Sequence, residues 1–148
     1  MQKLIFALSF AVCAQAWAGR CDIGTPVERQ LCNGTNEVRF RNGAGPLDAD
    51  AHLNDMAYEY AWRLYNYNGG KGLALTHDLP GHDFATRMRE GKVALPCGEN
   101  IAGGQQDALQ AVTSWQNSPK HFANMISPQY HKIGTGYYKG FWVQIFSN

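Results

Sequence analysis

The order of hydrophobic patterns along the chain predicts an α+β fold with a small antiparallel sheet. Residues 53–64 place apolar side chains at helical spacing, whereas residues 133–146 are rich in alternating and β-forming side chains. Within that last segment, Lys139-Gly140 suits a tight hairpin turn, so two strands should pair antiparallel. Helices that come mainly first and strands that come mainly last are typical of the α+β class.

The first residues predict an export signal rather than part of the fold. Lys3 supplies a positive start, residues 4–14 form a mostly apolar run, and residues 16–18 read Ala-Trp-Ala, a small-residue cleavage site. The apolar run is shorter than the roughly 20 residues that a bilayer-spanning helix needs. We therefore expect a signal peptide at 1–18 and one domain at 19–148, in a protein that is secreted to the extracellular space or the periplasm and is not an integral membrane protein.

The charge pattern argues against two classes of partner. The chain carries 13 Lys and Arg residues against 12 Asp and Glu residues, without a basic run. Loss of Lys3 with the signal segment leaves the mature chain formally neutral. Nucleic acids and anionic membranes attract clustered positive charge, so neither is an expected partner.

Three cysteines remain after the signal segment, namely Cys21, Cys32 and Cys97. Exported proteins commonly form disulfides, so one bridge and one free thiol are expected. Cys21–Cys32 is the favoured pair because it closes a short N-terminal loop, although Cys97 can replace either partner. Cys97 is interpreted as a structural thiol rather than a nucleophile, since cysteine is common in protein cores.

Two helices are predicted in the first half of the mature chain. Residues 25–28 form a capping box with proline at the first helical position, and Asn42-Gly43 is a typical helix end. Asn33-Gly34 is a candidate interruption within this first helix. Asp48 is the predicted cap of the second helix. One apolar face of that helix is formed by Leu53, Ala57, Tyr60, Ala61 and Leu64.

Shorter elements follow in the second half. Residues 73–79, which contain His77, precede a Pro-Gly breaker, and residues 84–90 predict a short helix. Asp107 is the predicted cap of the next helix. Ser118, followed by proline, begins a further helix, and this places His121 on the first turn of that helix.

Eight short motifs occur in one order between residues 36 and 146. They are Asn36-Glu37-x-Arg39, Leu47 with Leu53, His77, the segment 87–91, Gly98-Glu99-Asn100-Ile101-Ala102, Trp115-x-x-Ser118-Pro119-x-His121-x-x-Asn124, Ile133-Gly134-x-Gly136 and Trp142-Val143-Gln144-x-Phe146. The ordered set resembles the bacterial type of the CAP superfamily (cysteine-rich secretory, antigen 5 and pathogenesis-related 1 proteins), also called SCP-like. The resemblance implies an α-β-α sandwich with a small central antiparallel sheet and a shallow cleft.

The resemblance also implies a set of cleft residues. In many members of this family two histidines and two acidic residues line the cleft, and the histidines can hold a divalent metal. Matched by motif, the histidines are His77 and His121 and the first acid is Glu99. The position of the second acid holds Ser118. Imidazoles are good ligands for Zn²⁺ and similar divalent cations, but two alone are expected to bind weakly.

Two functions from different classes follow from this cleft. A secreted binding or effector module would hold a divalent metal and an apolar ligand such as a lipid or sterol, or would meet a cell-wall component or a host protein. The family includes sterol and fatty-acid binders. A metal-dependent, protease-like hydrolase would instead use Glu99 as the general base that activates water. The replacement of the second acid by Ser118 favours the binding module.

A purely structural role for these residues is an alternative to both functions. His77, Glu99 and His121 can form a polar cluster that holds the cleft together by hydrogen bonds alone. The other histidines of the mature chain are expected to be solvated or satisfied locally, and they are His52, His82 and His131.

Overall fold

The computed structural model of the chain describes residues 17–148, so all but the last two residues of the predicted signal peptide lie outside the described part. Within 17–148 the elements are α1 (Pro26–Arg41), β1 (Asp48–Ala49), α2 (Ala51–Tyr67), α3 (Phe84–Glu90), β2 (Cys97–Gly103), α4 (Ala108–Gln116), α5 (Pro119–Ile126), β3 (Lys132–Tyr138) and β4 (Phe141–Ser147). The predicted α+β class is confirmed. Across these residues, no helix combines the length and the hydropathy that a membrane crossing requires.

The sheet has the strand order β1-β3-β4-β2. β4 pairs antiparallel with both β3 and β2, and Glu99 lies opposite Ile145 in the second of these pairs. The predicted hairpin turn is confirmed: Lys139 and Gly140 have φ values of 41° and 92°, as a two-residue hairpin turn of this kind requires. The two-residue β1 runs parallel to β3, so the small central sheet is mixed rather than purely antiparallel.

Side chains of β4 alternate between two hydrophobic cores, one on each face of the sheet. Phe141, Val143 and Ile145 pack with the apolar face of α2, which is buried as predicted. Trp142 and Phe146 pack on the opposite face with residues of α1, α4 and α5. Because successive strand residues point to opposite faces, one strand serves both cores. The result is the expected α-β-α sandwich.

Helix α2 lies unusually close to β3, because β3 offers glycines where the two elements cross. A Cβ atom added to Gly134 would lie 2.2 Å from the backbone carbonyl carbon of Leu53. A Cβ atom added to Gly136 would lie 2.2 Å from the backbone nitrogen of Tyr58. Backbone cannot move aside as a flexible side chain can, so this helix–sheet contact requires glycine at both positions.

Two local predictions are corrected by the structure. Helix α1 continues through Asn33-Gly34, where the missing side chain of Gly34 lets Val112 of α4 approach closely. The cap of α2 is Asp50 rather than Asp48, since the Asp50 carboxylate accepts a hydrogen bond from the Leu53 N–H at 3.0 Å. Asp48 lies in β1 and forms an ion pair with Arg20.

The N-terminal disulfide joins Cys21 to Cys32, and their Cα atoms are 5.7 Å apart. The favoured pairing is therefore confirmed, and the bridge ties the segment before α1 to that helix. Cys97 is a free, half-buried cysteine at the start of β2.

Candidate functional site

Glu99 is the buried centre of the predicted cleft. Its side chain, on strand β2, is 1% exposed. Arg87 of α3 donates to both carboxylate oxygens, from Nη1 to Oε2 at 2.7 Å and from Nη2 to Oε1 at 2.9 Å. Nδ1 of His77 lies 2.9 Å from Oε1. A buried carboxylate is tolerated when charge and hydrogen bonds compensate for lost water, and here three donors do so.

Arg87 is a site residue that the sequence did not predict. It belongs to the segment 87–91 of the family-like motif set, but no role in the cleft was expected for it. Its remaining donors are used as well: Nε donates to the His82 carbonyl at 3.0 Å and Nη2 to the His77 carbonyl at 3.1 Å. The guanidinium carbon lies 3.4 Å from the centre of the Tyr60 ring, a cation–π contact. Burial raises the pKa of Tyr60 to about 12, although the charge of Arg87 acts against that rise.

The contact with Glu99 fixes the tautomer of His77. An ionised carboxylate only accepts hydrogen bonds, so Nδ1 of His77 carries the proton and donates it. The lone pair of a neutral ring is then on Nε2, which points away from the carboxylate. Histidines that bind metals are commonly oriented in this way by an outer carboxylate. The His77 side chain is 43% exposed, so part of it faces solvent.

His121 lies on the first turn of α5, as predicted. The side-chain amide of Asn100 donates to the His121 carbonyl at 3.1 Å and is itself held by Gln144 and Asn124. Burial lowers the pKa of His121, and the nearby charge of His77 lowers it further. The lowered pKa favours the neutral form of the His121 ring. Gln144 belongs to one of the sequence motifs, but its role in anchoring Asn100 was not predicted.

A shallow cavity of about 400 Å³ opens beside His77. Its lining consists of His77, Asp78, Asp83, Phe84, Ala85 and Glu99, without His121 and Ser118. Asp78 accepts a hydrogen bond from the Phe84 N–H, and Asp83 caps α3 through the Thr86 N–H, a bond that lowers the pKa of Asp83. Both acids thus have local structural roles.

Ser118 occupies the cap position of α5, but its hydroxyl makes no capping hydrogen bond. The structure thus joins His77 to Glu99 directly, whereas His121 is held through its carbonyl by Asn100 of β2 and Ser118 stays at the helix start. Among residues 17–148, no group of three or more His, Cys, Asp or Glu side chains is arranged to hold a metal ion.

The remaining histidines and the free cysteine have local surroundings that explain them. His52 contacts the Gly91 carbonyl, His82 accepts from Arg63, and His131 contacts Asn148, each at 2.8 Å. Burial raises the pKa of the Cys97 thiol, and the charge of Glu99 raises it further. A thiol with a raised pKa is a poor nucleophile, which agrees with the structural interpretation of Cys97.

The model of the CAP family, the cysteine-rich secretory protein family, matches residues 32–146. The chain belongs to this family. An uncharacterised protein of Bacillus subtilis (strain 168), YkwD, is 30% identical to this CAP-domain protein over 123 residues, which are 80% of the chain and 46% of YkwD. The chain therefore spans under half the length of that relative.

Two solved structures show the same CAP fold with moderate sequence identity. An extracellular protein with an SCP domain from Bacillus anthracis is 28% identical with a TM-score of 0.74, and the match covers 85% of this chain and 44% of that one. An outer surface protein of Borrelia burgdorferi is 26% identical with a TM-score of 0.69, and the match covers 80% of this chain and 89% of that one.

Proposed function

We propose that this CAP-domain protein is an exported binding module whose cleft holds a divalent metal on His77 and His121. The observation that supports it best is the chain of contacts from Arg87 through Glu99 to His77. That chain orients the His77 ring through Nδ1, which leaves Nε2 as the nitrogen that would hold the metal. The nearby His121 has a lowered pKa, so its ring also favours the neutral form that metals need.

The donor set fits a weakly held cation. Two imidazoles suit Zn²⁺ and its neighbours, and a tetrahedral ion would keep further positions for water or for a bound molecule. When bound, the cation would act as a Lewis acid that attracts an oxygen or nitrogen atom of that molecule. The cavity beside His77 combines ionisable side chains with the apolar surface of Phe84 and Ala85, so a molecule bound there would meet both.

Export is the second part of the proposal. It is supported by the signal-like segment at 1–18, by the Cys21–Cys32 disulfide, and by similarity to an extracellular and an outer surface protein. A cell-wall component or a host protein, both expected from the sequence, would be met at such a location.

The hydrolase alternative receives less support from the geometry of Glu99. A general base must be free to take a proton from water. Both oxygens of Glu99 already accept hydrogen bonds, and the side chain is only 1% exposed. Detectable hydrolysis that disappears in a Glu99→Gln variant would nonetheless favour the enzyme.

The metal site is tested by calorimetric titration with Zn²⁺. We expect the His77→Ala/His121→Ala variant to lose at least about tenfold in affinity, as removal of metal-site groups commonly does. The matched control is His52→Ala/His131→Ala, which removes two histidines elsewhere and should retain the affinity. Affinity should also fall as the pH drops below about 6.5, because protonated imidazole cannot bind metal. Because the pKa of His121 is lowered, His121 should become protonated, and so stop binding the metal, at a lower pH than that.

The site is contradicted if the His77→Ala/His121→Ala variant binds Zn²⁺ with unchanged affinity. It is also contradicted if the affinity is equal at pH values of about 7.5 and 5.5, which lie on either side of the usual histidine pKa. Circular dichroism of each variant checks that the fold is retained.

A further inference from the structure

Helix α2 presents a second exposed surface that the cleft does not use. Glu59, Trp62, Arg63, Asn66 and Tyr67 occupy positions i, i+3, i+4, i+7 and i+8, and so lie along one outer stripe of the helix. The turn at residues 79–82 runs beside this stripe, closed by a 2.8 Å hydrogen bond from the His82 N–H to the Leu79 carbonyl. We call the space between the stripe and the turn the α2 groove.

The α2 groove is formed by two adjoining depressions of about 250 Å³ each. Arg63 and His82 line both of them, so the depressions meet at the Arg63–His82 hydrogen bond. The first extends along α2 toward His52 and the second toward Tyr67. At 1.5 Å per residue, the helix rises about 22 Å between those two positions, which makes the groove elongated.

Aromatic surface and polar groups alternate in the groove. Trp62 is 43% exposed and Tyr67 is 59% exposed, and Pro80 lies with them in the same depression. Arg63 lies between the two depressions and donates to the Glu59 carboxylate and to Nε2 of His82. These contacts hold the polar side chains in place before any ligand arrives, which reduces the entropy cost of binding.

We propose that the α2 groove binds a neutral oligosaccharide. A sugar ring has a flat C–H face that can pack on an aromatic ring and an edge of hydroxyls that both donate and accept hydrogen bonds. In the groove, Trp62 and Tyr67 can pack on the C–H faces of the sugar rings. Arg63 and Asn66 can donate hydrogen bonds to the hydroxyls, and Glu59 can accept them. Binding sites of this kind combine apolar surface with a few placed polar groups.

The charge balance selects the neutral sugar over other ligands. Arg63 is paired with Glu59, and Glu90 also lines the first depression, so an anionic ligand would meet carboxylates. A proline-rich peptide would also fit an aromatic groove, but its exposed carbonyls only accept hydrogen bonds and would leave Glu59 without a new donor.

The test uses three soluble probes, namely cellotetraose, chitotetraose and maltotetraose, titrated into the mature protein by calorimetry. At least one should bind, and the Trp62→Ala variant should weaken that binding by at least about tenfold, the loss expected for removal of one stacking aromatic ring. Trp62→Phe, which keeps an aromatic face, should restore most of the affinity and shows that a loss in Trp62→Ala is not a folding defect.

Tyr58→Ala is the matched control, since Tyr58 is an exposed aromatic on the same helix but outside the groove. It should change the affinity less than about twofold, a difference well within the variation of surface substitutions. The His77→Ala/His121→Ala variant should also retain sugar binding, because neither histidine lines the groove. The proposal is overturned by absence of binding at millimolar concentrations of all three sugars. It is equally overturned if binding survives in Trp62→Ala, or if decaproline binds at Trp62 and the sugars do not.

Discussion

Substitution of Gly136 by alanine should lower the free energy of unfolding by about 3–5 kcal/mol. The added methyl group would lie 2.2 Å from the Tyr58 nitrogen and 2.4 Å from the Ala57 carbonyl carbon. Both atoms belong to the backbone of α2, so relief requires the helix to move off the sheet. Because α2 covers one whole core of the sandwich, that movement disturbs the packing of Phe141, Val143 and Ile145.

Urea denaturation, followed by circular dichroism, measures this loss. Gly45→Ala is the matched control, since a methyl group there meets no atom within 4 Å and its backbone is not left-handed. It should change stability by less than about 0.5 kcal/mol. Equal stability of the two variants would show that α2 and β3 are not in the close contact described.

Replacement of Arg87 by methionine should cost about 3–5 kcal/mol, the loss typical when one partner of a buried ion pair is removed. The Glu99 carboxylate would stay buried with His77 as its one remaining donor from this cluster. Arg89→Met is the matched control, because Arg89 lies on the same short helix and its contact with Thr86 is exposed. It should be nearly neutral.

A double variant separates the ion pair from general packing. In Arg87→Met/Glu99→Gln the buried charge is gone, so the total loss should be smaller than in Arg87→Met alone. The same denaturation experiment measures both. A double variant less stable than the single variant would mean that Arg87 stabilises the fold through Tyr60 and backbone contacts rather than through Glu99.

Much of the fold was predictable because its signals are local. The capping box at residues 25–28, the apolar face of α2, the short helix α3 and the hairpin turn at Lys139-Gly140 each depend on residues near one another in sequence. The errors have long-range causes. Gly34 is tolerated inside α1 because Val112 of a distant helix packs there, and Asp48 is drawn into β1 by pairing with β3.

The candidate site was predictable only in part, for the same reason. Its members were found by motif order, but the contacts among them join a loop, a helix and a strand. Nothing local in the segment 87–91 shows that Arg87 reaches Glu99, nor that Gln144 supports Asn100 from the neighbouring strand. The α2 groove was likewise hidden, since exposed aromatics become a site only when the turn at residues 79–82 is placed beside them.

The metal-binding role of the cleft is tested most directly by imidazole nitrogen resonances of the ¹⁵N-labelled mature protein during titration with Zn²⁺. We expect the Nε2 signal of His77 and one ring-nitrogen signal of His121 to shift. Nδ1 of His77 should keep its proton, which it donates to Glu99. The signals of His131, which contacts Asn148, should not move. Shifts confined to histidines other than His77 and His121, or no shift in either of these two at saturating Zn²⁺, would contradict the proposed site.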